Sequence, residues 1–202
     1  MLKENKIISV LTIDESSLAV DLAKCLFDSG IRNLEITLRT KEAKKAIELI
    51  LNTDLDLNIG IGTVLNKDDL NFAKDVGSDF ALSPCTDLDL IEESLKINFK
   101  FIPGVSNPTD INSCLKLGCK TLKFFPAVQL GGINYFKSIY GPYSSFDVNF
   151  IALGGINYKN AKQFIENDNF IGVGASWIAE RELISNKDWK EIGRRSNLFL
   201  KL

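Results

Sequence analysis

The chain has 202 residues, of which 45% are hydrophobic and 25% are charged, and its formal net charge is -2. This length and apolar content suffice for a large core, and no linker or low-complexity stretch interrupts it, so a single domain over residues 1–202 is predicted. The small net charge gives no support for a nucleic acid or an anionic membrane as partner. The sequence contains no histidine, which excludes serine–histidine and cysteine–histidine catalysis and leaves acid–base work to carboxylates, lysine, tyrosine or water.

The cysteines and the first apolar run indicate in which cellular compartment the protein is located. The four cysteines have no CxxC spacing, so a zinc site would need all of them from scattered positions, and we prefer reduced thiols. The apolar run at 7–13 ends at Asp14-Glu15 rather than at a small-residue cleavage site, so we interpret it as a strand and not as a signal peptide. No apolar stretch is long enough to cross a bilayer, and a cytoplasmic location is expected.

Short apolar runs alternate with amphipathic segments along the whole chain. The predicted strands lie near 7–12, 32–38, 57–62, 79–83, 100–103, 120–125, 148–153 and 170–174. The predicted helices lie near 15–29, 40–52, 66–76, 87–97, 108–117, 132–140, 157–167 and 187–200. Capping residues indicate several helix starts: Asp14 and Ser16, Asn66, and Asn107 with Pro108.

This alternation favours one fold class over another. Eight strand–helix units in about 200 residues are typical of a single-domain (β/α)8 TIM barrel of the α/β class. A doubly wound open sheet is the alternative, because periodicity counts elements without showing closure. The barrel predicts that active groups cluster where strands end, with phosphate bound after the seventh and eighth strands.

Lys123 lies in the short β-prone run 121–125, which is followed by Pro126. Strands of this composition are usually buried on both faces in parallel sheets, and burial disfavours the charged form of an amine. A neutral amine is a nucleophile that forms a Schiff base with a ketone. The alternative is a lysine at a strand end whose amine extends to solvent.

A carboxylate and a guanidinium interrupt the second predicted strand. Side chains alternate along a strand, so Glu35, Thr37 and Arg39 share one face. A structural ion pair between Glu35 and Arg39 is one interpretation. With Lys123 on a strand across the same barrel, Glu35 is instead a candidate proton-transfer group and Arg39 a candidate clamp for a carboxylate.

Glycine-bearing loops follow the seventh and eighth predicted strands. Gly154-Gly155 and Gly174 each precede a predicted helix start, where backbone amides and the helix dipole favour an anion, and Ser176 adds a hydroxyl. Thr63 offers a hydroxyl after the third strand, and Pro84 stiffens the end of the fourth. These positions predict a phosphate site beside the other candidate residues.

The motifs LEITLRT, GIGTVL, SPC, IPGVS, LKFFPA, GGI and GASW occur in this order between residues 34 and 177, within a resemblance that runs from about residue 7 to about residue 180. Together they resemble the bacterial 2-keto-3-deoxy-6-phosphogluconate (KDPG) and 4-hydroxy-2-oxoglutarate (KHG) aldolases, and LEITLRT and LKFFP are distinctive for that family. The resemblance implies a class I aldolase, a carbon–carbon lyase on a (β/α)8 barrel that needs no metal or other cofactor and assembles as a homotrimer. Its small-molecule substrate would be a keto-acid phosphate that splits into pyruvate and an aldehyde, glyceraldehyde 3-phosphate in the best-known case.

The resemblance also implies roles for individual positions. Lys123 matches the Schiff-base lysine, and Glu35 matches the acid–base carboxylate, which acts through a water. Arg39 and Thr63 match groups that hold the pyruvate-derived part. Other matched positions line the site or bind the phosphate: Phe125, Pro84, Gly154, Gly155, Gly174 and Ser176.

Three departures from the family pattern leave the substrate open. Leu153 replaces a threonine that contributes a hydroxyl to the substrate pocket, Val128 stands where glutamate is frequent, and Cys85 where glycine or histidine is common. Leu153 predicts a weaker preference between C4 epimers or a lower efficiency. The phosphogalactonate (KDPGal) substrate, a phosphosugar isomerase or epimerase, and a catalytically inactive phosphate-binding barrel are the alternatives. Barrel epimerases that resemble the ribulose-phosphate enzyme rely on metal-binding histidines, which this chain lacks.

Overall fold

All strands of this computed structural model, which describes residues 2–202, run parallel in one sheet. Apolar, β-branched runs form them at the predicted places. The strands are β1 Ile7–Leu11, β2 Asn33–Thr37, β3 Asn58–Gly62, β4 Phe80–Leu82, β5 Phe101–Ile102, β6 Gly104–Val105, β7 Thr121–Phe124, β8 Asn149–Leu153 and β9 Phe170–Ala175. The helices are α1 Ala19–Asp28, α2 Ala43–Leu51, α3 Lys67–Asp75, α4 Leu88–Lys96, α5 Pro108–Lys116, α6 Gly132–Tyr140, α7 Lys162–Ile165, α8 Arg181–Ser185 and α9 Trp189–Phe199.

The sheet closes on itself. Its strand order is β5-β4-β3-β2-β1-β9-β8-β7-β6, and its two ends, β5 and β6, are consecutive segments separated only by Pro103. Proline has no N–H to donate, so strand pairing is interrupted at this residue, and β6 lies just beyond the fifth predicted strand, which was placed near 100–103. The Pro103 carbonyl accepts the Lys123 N–H at 2.9 Å, which joins the divided strand to β7. The predicted barrel is therefore confirmed, and the open sheet is wrong.

Large side chains fill the barrel interior where facing positions carry glycine. A Cβ on Gly60 would overlap the Phe80 ring, and one on Gly174 would lie 2.6 Å from Leu153 Cδ2. Leu153 and Phe80 belong to the interior apolar cluster, which a second, larger core surrounds between the strands and the helices. The pairing of small with large residues packs the interior with side chains, as in a barrel without a pore.

Helix starts were predicted well where an asparagine precedes the helix. Asn66 accepts the Asp69 N–H at 2.8 Å and Asn107 accepts the Asp110 N–H at 3.1 Å, as N-cap residues do. The predicted caps Asp14 and Ser16 are wrong, because a 3₁₀ turn over Ser16–Leu18 precedes α1. Ser16 instead donates to Glu42 Oε2.

The helix predicted over 157–167 is also wrong, because only α7 within it is helical. Asn157 Oδ1 accepts the Lys159 N–H at 2.9 Å, and Asn160 Oδ1 accepts the Asn157 N–H at 2.8 Å. Asparagine side chains compete in this way with helical hydrogen bonds. Among the described helices, none has the length and apolar character needed to span a membrane.

Candidate active site

A cavity of about 200 Å³ lies at the end of the barrel where the strands terminate. Five strands contribute to its wall, either directly or through the loop that follows each of them. The lining residues are Val10, Thr12, Glu35, Arg39, Lys123, Phe125, Leu153, Gly154, Gly155, Ile156, Gly174 and Ser176. This is the end at which a TIM barrel carries its active site.

The cavity floor holds a buried ion pair. Lys123 Nζ donates to Glu35 Oε1 at 3.0 Å, and the two residues are 2% and 0% exposed. The alternative in which the Lys123 amine extends to solvent is therefore wrong. The other carboxylate oxygen, Oε2, has no hydrogen-bond partner among residues 2–202. An amine and a carboxylate in contact inside a barrel can act as a nucleophile with an adjacent base.

Glu35 occupies its position because β3 is glycine-rich. Strand β2 pairs with β3 so that Thr37 lies opposite Gly62, and a Cβ on Gly62 would overlap the Glu35 carboxylate. Lys123 Nζ lies over the Phe125 ring, 5.2 Å from its centroid. Gly62 thus leaves room for the carboxylate, and Phe125 covers the amine.

Arg39 lies at the cavity wall and does not pair with Glu35. Its Nε donates to Thr63 Oγ1 at 3.0 Å, so the interpretation of Glu35 and Arg39 as a structural ion pair is wrong. Thr63 has a backbone φ of 62°, a left-handed conformation that is unfavourable for a β-branched residue. Strain of this kind occurs where a side chain must be held in a functional position. Thr63 itself is absent from the cavity wall and contacts it through Arg39.

The loop after β8 forms the opposite wall. Gly154 and Gly155 have φ angles of 95° and 71°, which glycine adopts without strain. A Cβ on Gly154 would lie 2.7 Å from Pro126 Cα, so the backbone passes close to the end of β7. Ser176 begins only a short 3₁₀ helix, Ser176–Ala179, and α7 is equally short. The predicted helix starts are therefore weak, and anion binding there would depend on loop amides and the Ser176 hydroxyl.

The structure brings together eight of the ten candidate residues and leaves two outside the cavity wall. Thr63 acts on Arg39, and Pro84 packs beneath the Gly104 backbone between β4 and β6. Three wall residues, Val10, Thr12 and Ile156, were not predicted. For Val10 and Thr12 the alternation of β1 was the available signal, since it places both on the interior face with Ile8.

Comparisons with known proteins agree with this geometry. The family model described as KDPG and KHG aldolase matches residues 1–195. A 2-dehydro-3-deoxy-phosphogluconate aldolase of Haemophilus influenzae is 35% identical over 193 residues, covering 96% of this chain and 90% of the relative. A KHG/KDPG aldolase of Escherichia coli is 31% identical over 192 residues, covering 95% of this chain and 89% of the relative.

Solved structures give the same result. A KDPG aldolase from Legionella pneumophila, with pyruvate captured as a covalent carbinolamine intermediate, superposes with a TM-score of 0.90 at 38% identity. The superposition covers 96% of this chain and 93% of that chain. A native KDPGal structure matches with a TM-score of 0.87 at 22% identity, and at that identity it supports the fold alone.

Proposed function

This chain belongs to the KDPG and KHG aldolase family, and we propose that it is a class I aldolase that cleaves 2-keto-3-deoxy-6-phosphogluconate to pyruvate and glyceraldehyde 3-phosphate. The observation that carries the proposal is the buried contact of Lys123 Nζ with Glu35 Oε1 at 3.0 Å, on the floor of the cavity. The same chemistry would cleave 4-hydroxy-2-oxoglutarate to pyruvate and glyoxylate.

The reaction begins at Lys123. Glu35 accepts the proton that the amine must lose, and Nζ attacks the C2 carbonyl to give a carbinolamine. Glu35 returns this proton to the carbinolamine hydroxyl, and loss of water gives a cationic imine, which withdraws electrons from the C3–C4 bond. Glu35, again a carboxylate, takes the proton of the C4 hydroxyl as that bond breaks, the aldehyde leaves, and the pyruvate enamine stays on Lys123. Glu35 gives this second proton to the enamine carbon, and hydrolysis of the imine releases pyruvate and restores the amine.

Two parts of the cavity wall bind the substrate: one carries the guanidinium of Arg39, and the other carries backbone amides of the glycine-bearing loops. Arg39, held by Thr63, anchors the keto-acid carboxylate, and Phe125 covers the pyruvate-derived carbons. The phosphate is bound by backbone around Gly154, Gly155 and Gly174 with the Ser176 hydroxyl. Pro84 lies outside the cavity wall and stiffens the end of β4. Substrate binding at both ends holds C2 against Lys123, which converts the attack into an intramolecular step.

Borohydride trapping tests the mechanism. Incubation with pyruvate and sodium borohydride should reduce the imine and add one reduced pyruvyl group to Lys123, identified by peptide mass spectrometry. Lys123→Met should abolish the adduct. Lys120→Met is the matched control, because Lys120 lies three residues away on the exposed surface, where it pairs with Asp147. Absence of an adduct under conditions that trap a known class I aldolase would refute the proposal and would favour the inactive barrel.

We further propose a homotrimer that works in the cytoplasm. Leu65, in the loop after β3, and Leu88 and Leu95, both on α4, are 53%, 47% and 60% exposed, and a subunit interface would cover such side chains. Light scattering should then give three times the chain mass of 22.5 kDa.

The state of the cysteines supports the cytoplasmic location. The four cysteines are unpaired, as is usual in a reducing compartment, and cell fractionation would test the location.

A further inference from the structure

Thr12 contributes a hydroxyl to the cavity wall at the end of β1. It is half-buried, and it lies on the interior face that Ile8 and Val10 also occupy. Leu153, on β8, gives that wall only apolar surface. On the described wall of the cavity, Thr12 is therefore the one polar side chain that the proposed mechanism does not use.

The hydrogen bonds around Thr12 fix the direction of its hydroxyl. Thr37 is fully buried, and its Oγ1 lies 3.0 Å from the Leu11 carbonyl and 2.9 Å from Thr12 Oγ1. A carbonyl only accepts, so the single hydrogen of Thr37 goes to Leu11. The contact between the two hydroxyls then requires that Thr12 donate to Thr37. Because the hydroxyl hydrogen of Thr12 is directed to Thr37, Thr12 Oγ1 can only accept a hydrogen bond from a group in the cavity.

The strand order shows which part of the substrate passes Thr12. Strand β1 lies between β2, which leads to Arg39, and β9, which leads to Ser176. A substrate with its carboxylate at Arg39 and its phosphate near Ser176 spans the end of β1. Lys123 acts at C2 and Glu35 at the C4 hydroxyl, so the C5 hydroxyl is the donor left between them and the phosphate.

We propose that Thr12 is a specificity-determining residue that accepts a hydrogen bond from the substrate C5 hydroxyl, which is the 2-hydroxyl of the aldehyde product. The inference rests on the proposed aldolase function. An oxygen that only accepts hydrogen bonds disfavours a carboxylate at the same place. Thr12 therefore also selects against 4-hydroxy-2-oxoglutarate, whose C5 is a carboxylate. Thr12 thus favours the phosphorylated six-carbon substrate over the shorter one.

Condensation with two aldehydes tests this assignment. The wild-type enzyme should condense pyruvate with glyceraldehyde 3-phosphate at a kcat/KM roughly tenfold above that for 3-oxopropyl phosphate, which lacks the 2-hydroxyl. Thr12→Val is nearly isosteric and should bring this ratio close to one. Thr12→Ser keeps a hydroxyl and should keep most of the preference. Thr121→Val is the matched control, since Thr121 begins β7 at the opposite end of the barrel, and it should keep the wild-type ratio.

The possible outcomes separate the two proposals. A Thr12→Val enzyme that keeps the wild-type ratio overturns the role of Thr12 and leaves the aldolase function standing. A wild-type enzyme that condenses pyruvate with neither aldehyde refutes the aldolase function and the role of Thr12 with it. If Thr12→Val fails to fold, as judged by circular dichroism, Thr12→Ala should give the same loss of preference.

Discussion

The two oxygens of the Glu35 carboxylate differ in their surroundings. Oε1 accepts from Lys123, whereas Oε2 is buried without a hydrogen-bond partner among the described residues. An unsatisfied buried acceptor costs about 1–3 kcal/mol, and such a cost is common where a protein keeps a group free for function. Oε2 is therefore the oxygen available to a water or a substrate hydroxyl, which suits a proton-transfer role.

Replacement of Glu35 by glutamine tests this role. Glutamine is close to isosteric and keeps an acceptor for Lys123, but it cannot take up a proton. We expect Glu35→Gln to lower kcat by roughly 10²–10⁴-fold. The thermal midpoint should stay near that of the wild type, and Lys123 should still be trapped by pyruvate and borohydride, although more slowly.

The opposite pattern would identify Glu35 as structural. Loss of one partner of a buried ion pair costs roughly 3–5 kcal/mol when the remaining charge is left uncompensated. A Glu35→Gln protein that unfolds at a much lower denaturant concentration, yet keeps near-normal turnover, would contradict the proton-transfer role. Urea unfolding and steady-state cleavage, measured on the same preparation, distinguish the two cases.

At the scale of the element, β3 determines whether β2 can present its carboxylate. Gly62 has no side chain, and the Glu35 carboxylate occupies the space that a Cβ would fill. We expect Gly62→Ala to displace Glu35 from Lys123 and to reduce kcat by about 10²-fold or more, as removal of the base does. Steady-state cleavage gives the value, and the rate of borohydride trapping reports the altered surroundings of the amine.

Gly141→Ala is the matched control for this substitution. A Cβ on Gly141 meets nothing within 4 Å, and the residue has an ordinary helical conformation. Both variants add one methyl group, so a general effect of alanine would appear in each. Unchanged turnover in Gly62→Ala would show that Glu35 can move aside without losing its function.

How far the sequence predicted the structure also depends on the kind of element. Periodicity located the barrel strands except the short β6, Gly104–Val105, because alternating and continuous apolar runs follow directly from burial. It failed over 157–167, where Asn157 and Asn160 form local hydrogen bonds that compete with a helix. It also did not predict that Glu35 pairs with Lys123, because the two are 88 positions apart and their contact depends on barrel closure. Thr12 was missed although alternation places it on the interior face, because threonine is common in and near strands and does not by itself indicate a site.

At the scale of the whole molecule, the two ends of the barrel have different functions. Asn33 lies two residues before Glu35 on β2, so the two side chains project from the same face of the strand. Asn33 is fully buried, and its Nδ2 donates to the carbonyls of Lys3, Asn5 and Ile7 at 3.0–3.2 Å. It thereby joins the N-terminal segment to the barrel at the end remote from the cavity, where residues of TIM barrels contribute to stability.

Asn33→Ala should therefore destabilise the protein without impairing its chemistry. The change removes the hydrogen bonds that Asn33 Nδ2 makes to one buried and two part-buried carbonyls, which should lower the free energy of unfolding by roughly 1–3 kcal/mol. The lining of the cavity does not include Asn33, so kcat/KM should be unchanged at temperatures where the variant is folded. Asn52→Ala, at an exposed helix end, should change neither quantity. Urea unfolding and steady-state cleavage would check both expectations. A fall in kcat/KM that matches that of Glu35→Gln would show that the two ends of β2 are coupled, and that stability and catalysis are not separable along this strand.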